Sequence, residues 1–210
     1  IWTGERLPHG QEHAVPKASE LSDADIFEVE RELAQGKHGT VFLAHLPEID
    51  DPVALKILHQ ELSHSLKERQ RFRREIRAHA ALEHPNIVRV LKYGRRKGRY
   101  FLATELLEGS LHDVVESISP LPTAVVTFIL EDILKGVQYA HLRGVIHREI
   151  KPSNLLFAED GSVKIGDFGF AKSSLDPNES TPGAVLGSTA YMSPEQAQGE
   201  HLGPRSDLFA

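Results

Sequence analysis

Cysteine is absent from this 210-residue chain. That excludes disulfides and thiolate-held metals, and it agrees with a reducing compartment. Long apolar runs are missing too. The most hydrophobic stretch, Ala124 to Leu130, meets Glu131 and Asp132 at once, whereas a spanning helix needs ~20 apolar residues. No membrane segment is therefore expected, and no basic-then-apolar leader opens the chain. Nor is there an excess of basic charge. Lys and Arg number 24 against 30 Asp and Glu, for a net charge of −6 and a pI near 6.1. Bulk electrostatics does not draw such a chain to nucleic acid or an anionic membrane. Methionine occurs once, at Met192, and the first residue is Ile1, which predicts a piece of a longer protein.

What is present fits a soluble globular protein with a sizeable core: 40% apolar residues, 26% charged and a mean hydropathy of −0.29. Residues 1–26 are polar and lack periodicity beyond a short helix near Ala18–Ile26, and read as a flexible lead-in. From Phe27 the pattern alternates through Val29, Arg31 and Leu33, predicting a strand. Gly36 and Gly39 interrupt it, and Thr40–Ala44 reads as the return strand. A turn at Asp50-Asp51-Pro52 leads to a third strand, Val53–Leu58. Leu62, Leu66, Phe72, Ile76 and Ala80 share one face of a helix over 60–83, which His84-Pro85-Asn86 ends. Ile87–Tyr93 and Tyr100–Thr104 predict two more strands. A long helix over 122–142 follows, carrying Val125, Ile129, Ile133, Val137 and Ala140. Asp160-Gly161 turns a hairpin between Leu155–Phe157 and Val163–Ile165. A strand-rich half and a helix-led half predict an α+β chain of two lobes, divided as a first lobe over 27–104, a connector over 105–109 and a second lobe over 110–210.

Six segments carry chemistry. In Leu33 to Val41, Gly36 and Gly39 let a hairpin backbone approach phosphates because no Cβ intervenes, although glycines in a hairpin are more often plain turn residues. Lys56, in Val53-Ala54-Leu55-Lys56, sits among apolar strand residues and could point into a cleft or out to solvent. Glu75 lies in a charge run with Arg71, Arg73, Arg74 and Arg77. His147 to Leu156 gathers Glu149, Lys151 and Asn154: an acid to accept a proton, a lysine to steady a phosphoryl group, an amide oxygen for a metal. Asp167-Phe168-Gly169 and Tyr191-Met192-Ser193-Pro194-Glu195 complete the set.

In this order and spacing the six resemble the eukaryotic-type protein kinase family. The resemblance covers residues 27–210, and Lys151, Ser188 and the stretch Gly187 to Ala197 look most like bacterial serine/threonine kinases. It implies the two-lobed kinase fold, with five strands and one helix in the first lobe and a mainly helical second lobe. It implies MgATP-dependent phosphoryl transfer to Ser or Thr hydroxyls of a protein substrate, with a second copy as an autophosphorylation partner and a cytoplasmic catalytic domain. Gly36 and Gly39 would cover the ATP phosphates. Lys56 would contact them, held by Glu75. Leu33, Val41, Ala54 and Leu156 would sandwich the adenine, whose edge would meet the backbone of Glu105 and Leu107. Thr104 falls at the gatekeeper position. Asn154 and Asp167 would hold Mg2+, His147 and Phe168 would join the internal spine, and Ser188 would bridge towards Lys151. Phosphate on Ser173, Ser174, Ser180 or Thr181 would pair with Arg148.

The sequence departs from the family in places. Glu149 stands where the family has Asp, with the same charge on a longer arm. A ~1 Å misplacement costs roughly 10²-fold, so slow transfer is expected; the alternative is a nucleotide-binding pseudokinase acting as a signalling scaffold. Ala34 replaces the first loop glycine. His79 takes a normally apolar spine position, where a neutral ring could pack and where its protonation would loosen the helix. The chain would end in the first turn of a long buried helix at Ser206–Ala210, with Asp207 bracing the catalytic loop and Glu195 awaiting an arginine. A segment so placed is expected to melt without sharp cooperativity. A nucleic-acid reading rests on Lys67, Arg69, Arg71, Arg73, Arg74 and Arg77, but Glu61, Glu68 and Glu75 interleave with them, and no nucleic-acid partner is expected.

Overall fold

The computed structural model describes residues 27–36, 39–59, 73–74, 76–96, 98–168 and 189–210. The expected helix near Ala18–Ile26, most of the helix over 60–83, Glu75, Gly169 and the segment holding Ser173, Ser174, Ser180, Thr181 and Ser188 lie outside the described residues.

Strands β1 (Glu28–Gly36), β2 (Gly39–Leu46), β3 (Ile49–Leu58), β4 (Val90–Arg96) and β5 (Arg99–Glu105) form an antiparallel sheet in the order β1-β2-β3-β5-β4. Period-two alternation gives the sheet two different faces. Phe42, Ala44 and Leu46 of β2, Val53, Leu55 and Ile57 of β3, and Phe101 and Ala103 of β5 bury one face, with Phe27 and Val29. Phe27 meets Phe101 edge-on at 5.3 Å. Directly opposed residues share a face. The registers Val41–Lys56–Leu102 and Leu43–Ala54–Thr104 therefore put these six on the other face.

The third strand begins earlier than expected, at Ile49, and the turn falls on Pro47-Glu48 instead of Asp50–Pro52. Pro52 has no N–H for the ladder. The strand absorbs it at a register shift between Ala44 and Leu46 of the partner strand. The fourth strand begins later, at Val90. Ile87 instead forms a parallel bridge with Ile165, and Val88 N donates to Ile165 O at 3.0 Å while Ile165 N donates to Asn86 O at 3.0 Å. A helical segment, α1, runs over residues 76–80.

After β5 come β6 (Gly109–Ser110), α2 (Leu111–Ser117), α3 (Thr123–Leu142), β7 (Leu155–Phe157), β8 (Val163–Ile165), α4 (Pro194–Ala197) and α5 (Pro204–Phe209). Strands β6, β7 and β8 form a second, three-stranded sheet. The sequence reading missed β6 and α2. Ser110 caps α2 by accepting from Asp113 N, and Asp113 reaches back to Ser110 N at 3.0 Å, a reciprocal cap written as Ser-x-x-Asp. On α3, Ile129, Val137 and Ala140 are buried and Ile133 packs beside them, but Val125 is exposed. Gly136 is needed where the helix crosses Asn86, since a Cβ there would stand 2.7 Å from Asn86 O. The second core joins these residues to Leu82, Ile87, Ile150, Leu155, Val163, Ile165 and Phe168. Among the described residues, no helix is long and apolar enough to cross a membrane.

Candidate active site

The non-core face of the first sheet supplies one side of the site. Val41, 6% exposed, and Ala54 and Lys56 share it. Leu33 falls at a register shift in β1, between Glu32 and Ala34, and is half-buried. Gly36 and Gly39 pair across the β1–β2 hairpin. Gly39 also has a packing reason: a Cβ there would sit 2.3 Å from Ile57 O. Gly36 has ordinary space among the described residues, its nearest contact being Gly39 O at 3.6 Å. Glu105 and Leu107 border the connection to the second sheet. Leu156, 8% exposed, lies there on β7 opposite Ser110. Thr104 Oγ1 donates to Ala54 O at 3.4 Å.

Lys56 Nζ donates to both carboxylate oxygens of Asp167, each at 2.8 Å, across 111 residues of chain. Burial acts to raise the Asp167 pKa, but the neighbouring Lys56 charge and its hydrogen bonds outweigh it, so the carboxyl lies below its ordinary value. The carboxylate therefore stays ionised. Asp167 has a φ of 56°, a left-handed conformation that costs a non-glycine residue about 1–3 kcal/mol.

The loop from His147 to Asn154 is tied to Asp167 by a chain of hydrogen bonds. Gly166 N donates to Asn154 O at 2.8 Å. His147 Nε2 donates to Gly166 O at 2.7 Å, and its Nδ1 accepts from Glu149 N at 3.1 Å. Those partners fix the neutral tautomer, and burial lowers the ring's pKa. Asn154 Nδ2 donates to Glu149 O at 2.8 Å, leaving its amide oxygen as the remaining acceptor. Lys151 Nζ donates to Glu149 Oε1 at 2.9 Å. Asp207 braces the loop as expected: its carboxylate accepts from His147 N at 2.8 Å, Arg148 N at 2.6 Å and His141 Nε2 at 2.7 Å. Glu195 accepts from Ser206 Oγ at 2.5 Å.

The structure thus brings Lys56, Asp167, Asn154, Glu149 and Lys151 into one connected network. Glu75 lies outside the described residues. Among the described residues no group of three or more His, Asp or Glu side chains gathers around a cage. The available donors are the Asp167 carboxylate and the Asn154 amide oxygen, hard oxygens of the kind that hold magnesium together with substrate phosphates and water.

Phe168, 2% exposed, lies between two histidine rings, His79 at 5.2 Å and His147 at 4.6 Å. His79 Nε2 donates to Val88 O at 2.9 Å. Burial lowers its pKa to about 4. The ring is therefore uncharged at neutral pH, as a neutral histidine packed in the spine requires, because burial outweighs the Val88 carbonyl and the Asp167 charge that favour its protonation.

Two contacts went unread in the sequence. Glu105 Oε1 accepts from Arg89 N at 2.7 Å, and its carboxylate takes Lys164 Nζ at 2.8 and 3.0 Å. Gln196, 4% exposed, takes Ser193 N on its Oε1 at 2.9 Å and gives its Nε2–H to Arg148 O at 2.6 Å. The Ser-x-x-Gln spacing was a legible cap signal for the second; nothing local marks the first.

The family profile for the protein kinase domain matches residues 27–210. The chain is 38% identical over 200 residues to serine/threonine-protein kinase PknJ of Mycobacterium tuberculosis, covering 92% of this chain and 34% of that relative. It is 35% identical over 196 residues to serine/threonine-protein kinase PknL of the same organism, covering 93% and 49%. It is 34% identical over 185 residues to serine/threonine-protein kinase PrkC of Bacillus subtilis, covering 88% and 28%. The chain therefore spans between about a quarter and a half of the length of these relatives. The crystal structure of the Mycobacterium tuberculosis PknI kinase domain superposes with a TM-score of 0.72 at 29% identity, covering 90% of this chain and 72% of that one.

Proposed function

This chain belongs to the protein kinase domain family, and from that membership we propose that it transfers the γ-phosphoryl group of MgATP to Ser and Thr hydroxyls of protein substrates. The observation that carries the reading is the network joining Lys56 and Asp167 to Asn154, Glu149 and Lys151. The proposed lobes are 27–104 and 110–210, joined over 105–109; the first sheet ends at Glu105 and β6 opens at Gly109.

In this reading Gly36 and Gly39 lie over the nucleotide phosphates and Lys56 neutralises two of them, with Glu75 as its second acid. Leu33, Val41, Ala54 and Leu156 flank the base, and the Glu105 and Leu107 backbone meets its edge. Asn154 and Asp167 hold magnesium, which supplies charge neutralisation on the phosphates when bound. Glu149 accepts the substrate hydroxyl's proton and Lys151 steadies the transferring group. Arg148 Nε is buried and has no hydrogen-bond partner among the described residues, as suits a guanidinium that takes a phosphate from the segment bearing Ser173, Ser174, Ser180 and Thr181. A second copy of the chain would then be its own first substrate.

Labelled transfer by the full-length protein tests this. Wild type should exceed the Lys56→Met background, and Glu149→Asp should raise the rate about 10-fold or more, because a shorter arm restores the placement of the base. The second reading, a nucleotide-binding pseudokinase acting as a signalling scaffold, is separated from the first by the same assay. Nucleotide binding with wild-type transfer no higher than Lys56→Met would make that reading the correct one.

A further inference from the structure

We propose that Gln196 is a positioning residue for Glu149, acting through the Arg148 peptide. The proposal rests on the reading of Glu149 as the base. Arg148 has a φ of 72°, a left-handed conformation that a side-chain-bearing residue keeps only where its surroundings over-determine it. Two groups do so here. Asp207 Oδ1 takes the Arg148 N–H at 2.6 Å, and Gln196 Nε2 gives a hydrogen bond to the Arg148 C=O at 2.6 Å. One residue is thus gripped at both ends of its backbone, and the next residue is Glu149.

The orientation of the Arg148 C=O is also that of the peptide plane leading into Glu149, since the peptide unit is planar. Whatever fixes that carbonyl fixes the direction in which the Glu149 side chain leaves the backbone. A longer acid in a position built for a shorter one depends more on this direction.

Gln196 is well placed to hold it. The side chain is 4% exposed, and both ends of its amide are used: Oε1 accepts from Ser193 N at 2.9 Å while Nε2 serves Arg148. The first bond fixes which end is oxygen, so the second end must donate. Gln196 is the third residue of α4, whose cap is Ser193. The grip therefore links the segment after residue 189 to the loop carrying the base, and the placement of the one reports on the other.

The substitution Gln196→Glu keeps the length and the oxygen that accepts from Ser193 N. It puts an acceptor against the Arg148 carbonyl, where a donor was. Gln196→Leu removes both bonds at similar volume. In the full-length protein, kcat for peptide phosphorylation should fall about 10- to 100-fold in both variants, with the KM for nucleotide within about two-fold of wild type. Amide exchange should accelerate at 148–150 and stay unchanged at 163–165. Wild-type kcat in Gln196→Glu would overturn the proposal. So would a loss of kcat accompanied by faster exchange throughout the second lobe, which would make the residue merely structural. If wild type itself does not exceed the Lys56→Met background, it is the kinase reading that fails. The grip is then decided by exchange alone, with local acceleration at 148–150 supporting it and unchanged exchange overturning it.

Discussion

His79 carries an ordinarily titratable ring inside a core that gives it one carbonyl and one aromatic face. Its folded pKa of about 4 lies below the ordinary 6.5, so the unfolded chain binds a proton more readily than the folded one between those values. Stability from this group is fully present above pH 6.5, falls as the pH drops towards 4, and is level below that. The difference amounts to about 3 kcal/mol. Asp167 acts in a lower window, because its folded pKa lies below the ordinary 3.8; its contribution is lost only as the pH falls through that depressed value. Denaturant melts between pH 7 and 4.5 should therefore show wild type losing stability that His79→Leu retains. Equal losses in the two would mean that the ring is hydrated when folded. The identity of this position was legible in the sequence, but its titration was not. That depends on Val88 O and Phe168, which the chain brings to the ring from elsewhere.

At the scale of elements, the β1–β2 hairpin separates two glycines that look alike in sequence. Gly39→Ala must push the Ile57 carbonyl away from a Cβ built 2.3 Å from it, and overpacking of this kind costs about 1–3 kcal/mol. Gly36→Ala has room among the described residues and should cost less, as chemical denaturation of the two variants would measure. Period and punctuation gave most strands and the long α3 helix, because β-branched residues and alternation act locally. They failed where a partner decides. Ile87 looks like the start of a strand but is taken by Ile165. Asp50 to Pro52 looks like a turn but is carried inside β3 by a register shift. The α2 helix was missed because its seven residues contain no buried side chain, leaving the Ser110–Asp113 cap as its only written signal. The candidate site was readable because its motifs place chemistry on neighbouring residues, whereas the Gln196 and Glu105 contacts join residues 48 and 59 apart.

At the scale of the molecule, β8 of the second sheet docks along the seam from Asn86 to Val88, the segment that leads into β4 of the first. Asn86 is 5% exposed and gives its Nδ2–H to Val163 O at 2.9 Å, while its own carbonyl takes Ile165 N. Asn86→Ala leaves a buried carbonyl without its donor, a loss of about 1–3 kcal/mol. Amide exchange should then quicken at Val163 and Ile165 ahead of Leu55 and Phe101, which lie in the separate first core. Uniform quickening would mean that the two cores open as one. The same seam governs when the site can exist during synthesis. Closing a loop of the length between Lys56 and Asp167 costs about 4 kcal/mol of chain entropy, more than an ion pair commonly returns. The lysine and its aspartate therefore do not find each other unaided; they are delivered by β8 docking onto Asn86 and Val88. A nascent chain leaves the ribosome with the whole first sheet, through Glu105, well before Asp167 emerges. Completion of the candidate site is thus a late acquisition in the life of each molecule, and the lysine–aspartate contact serves as the sign that assembly has reached the second sheet.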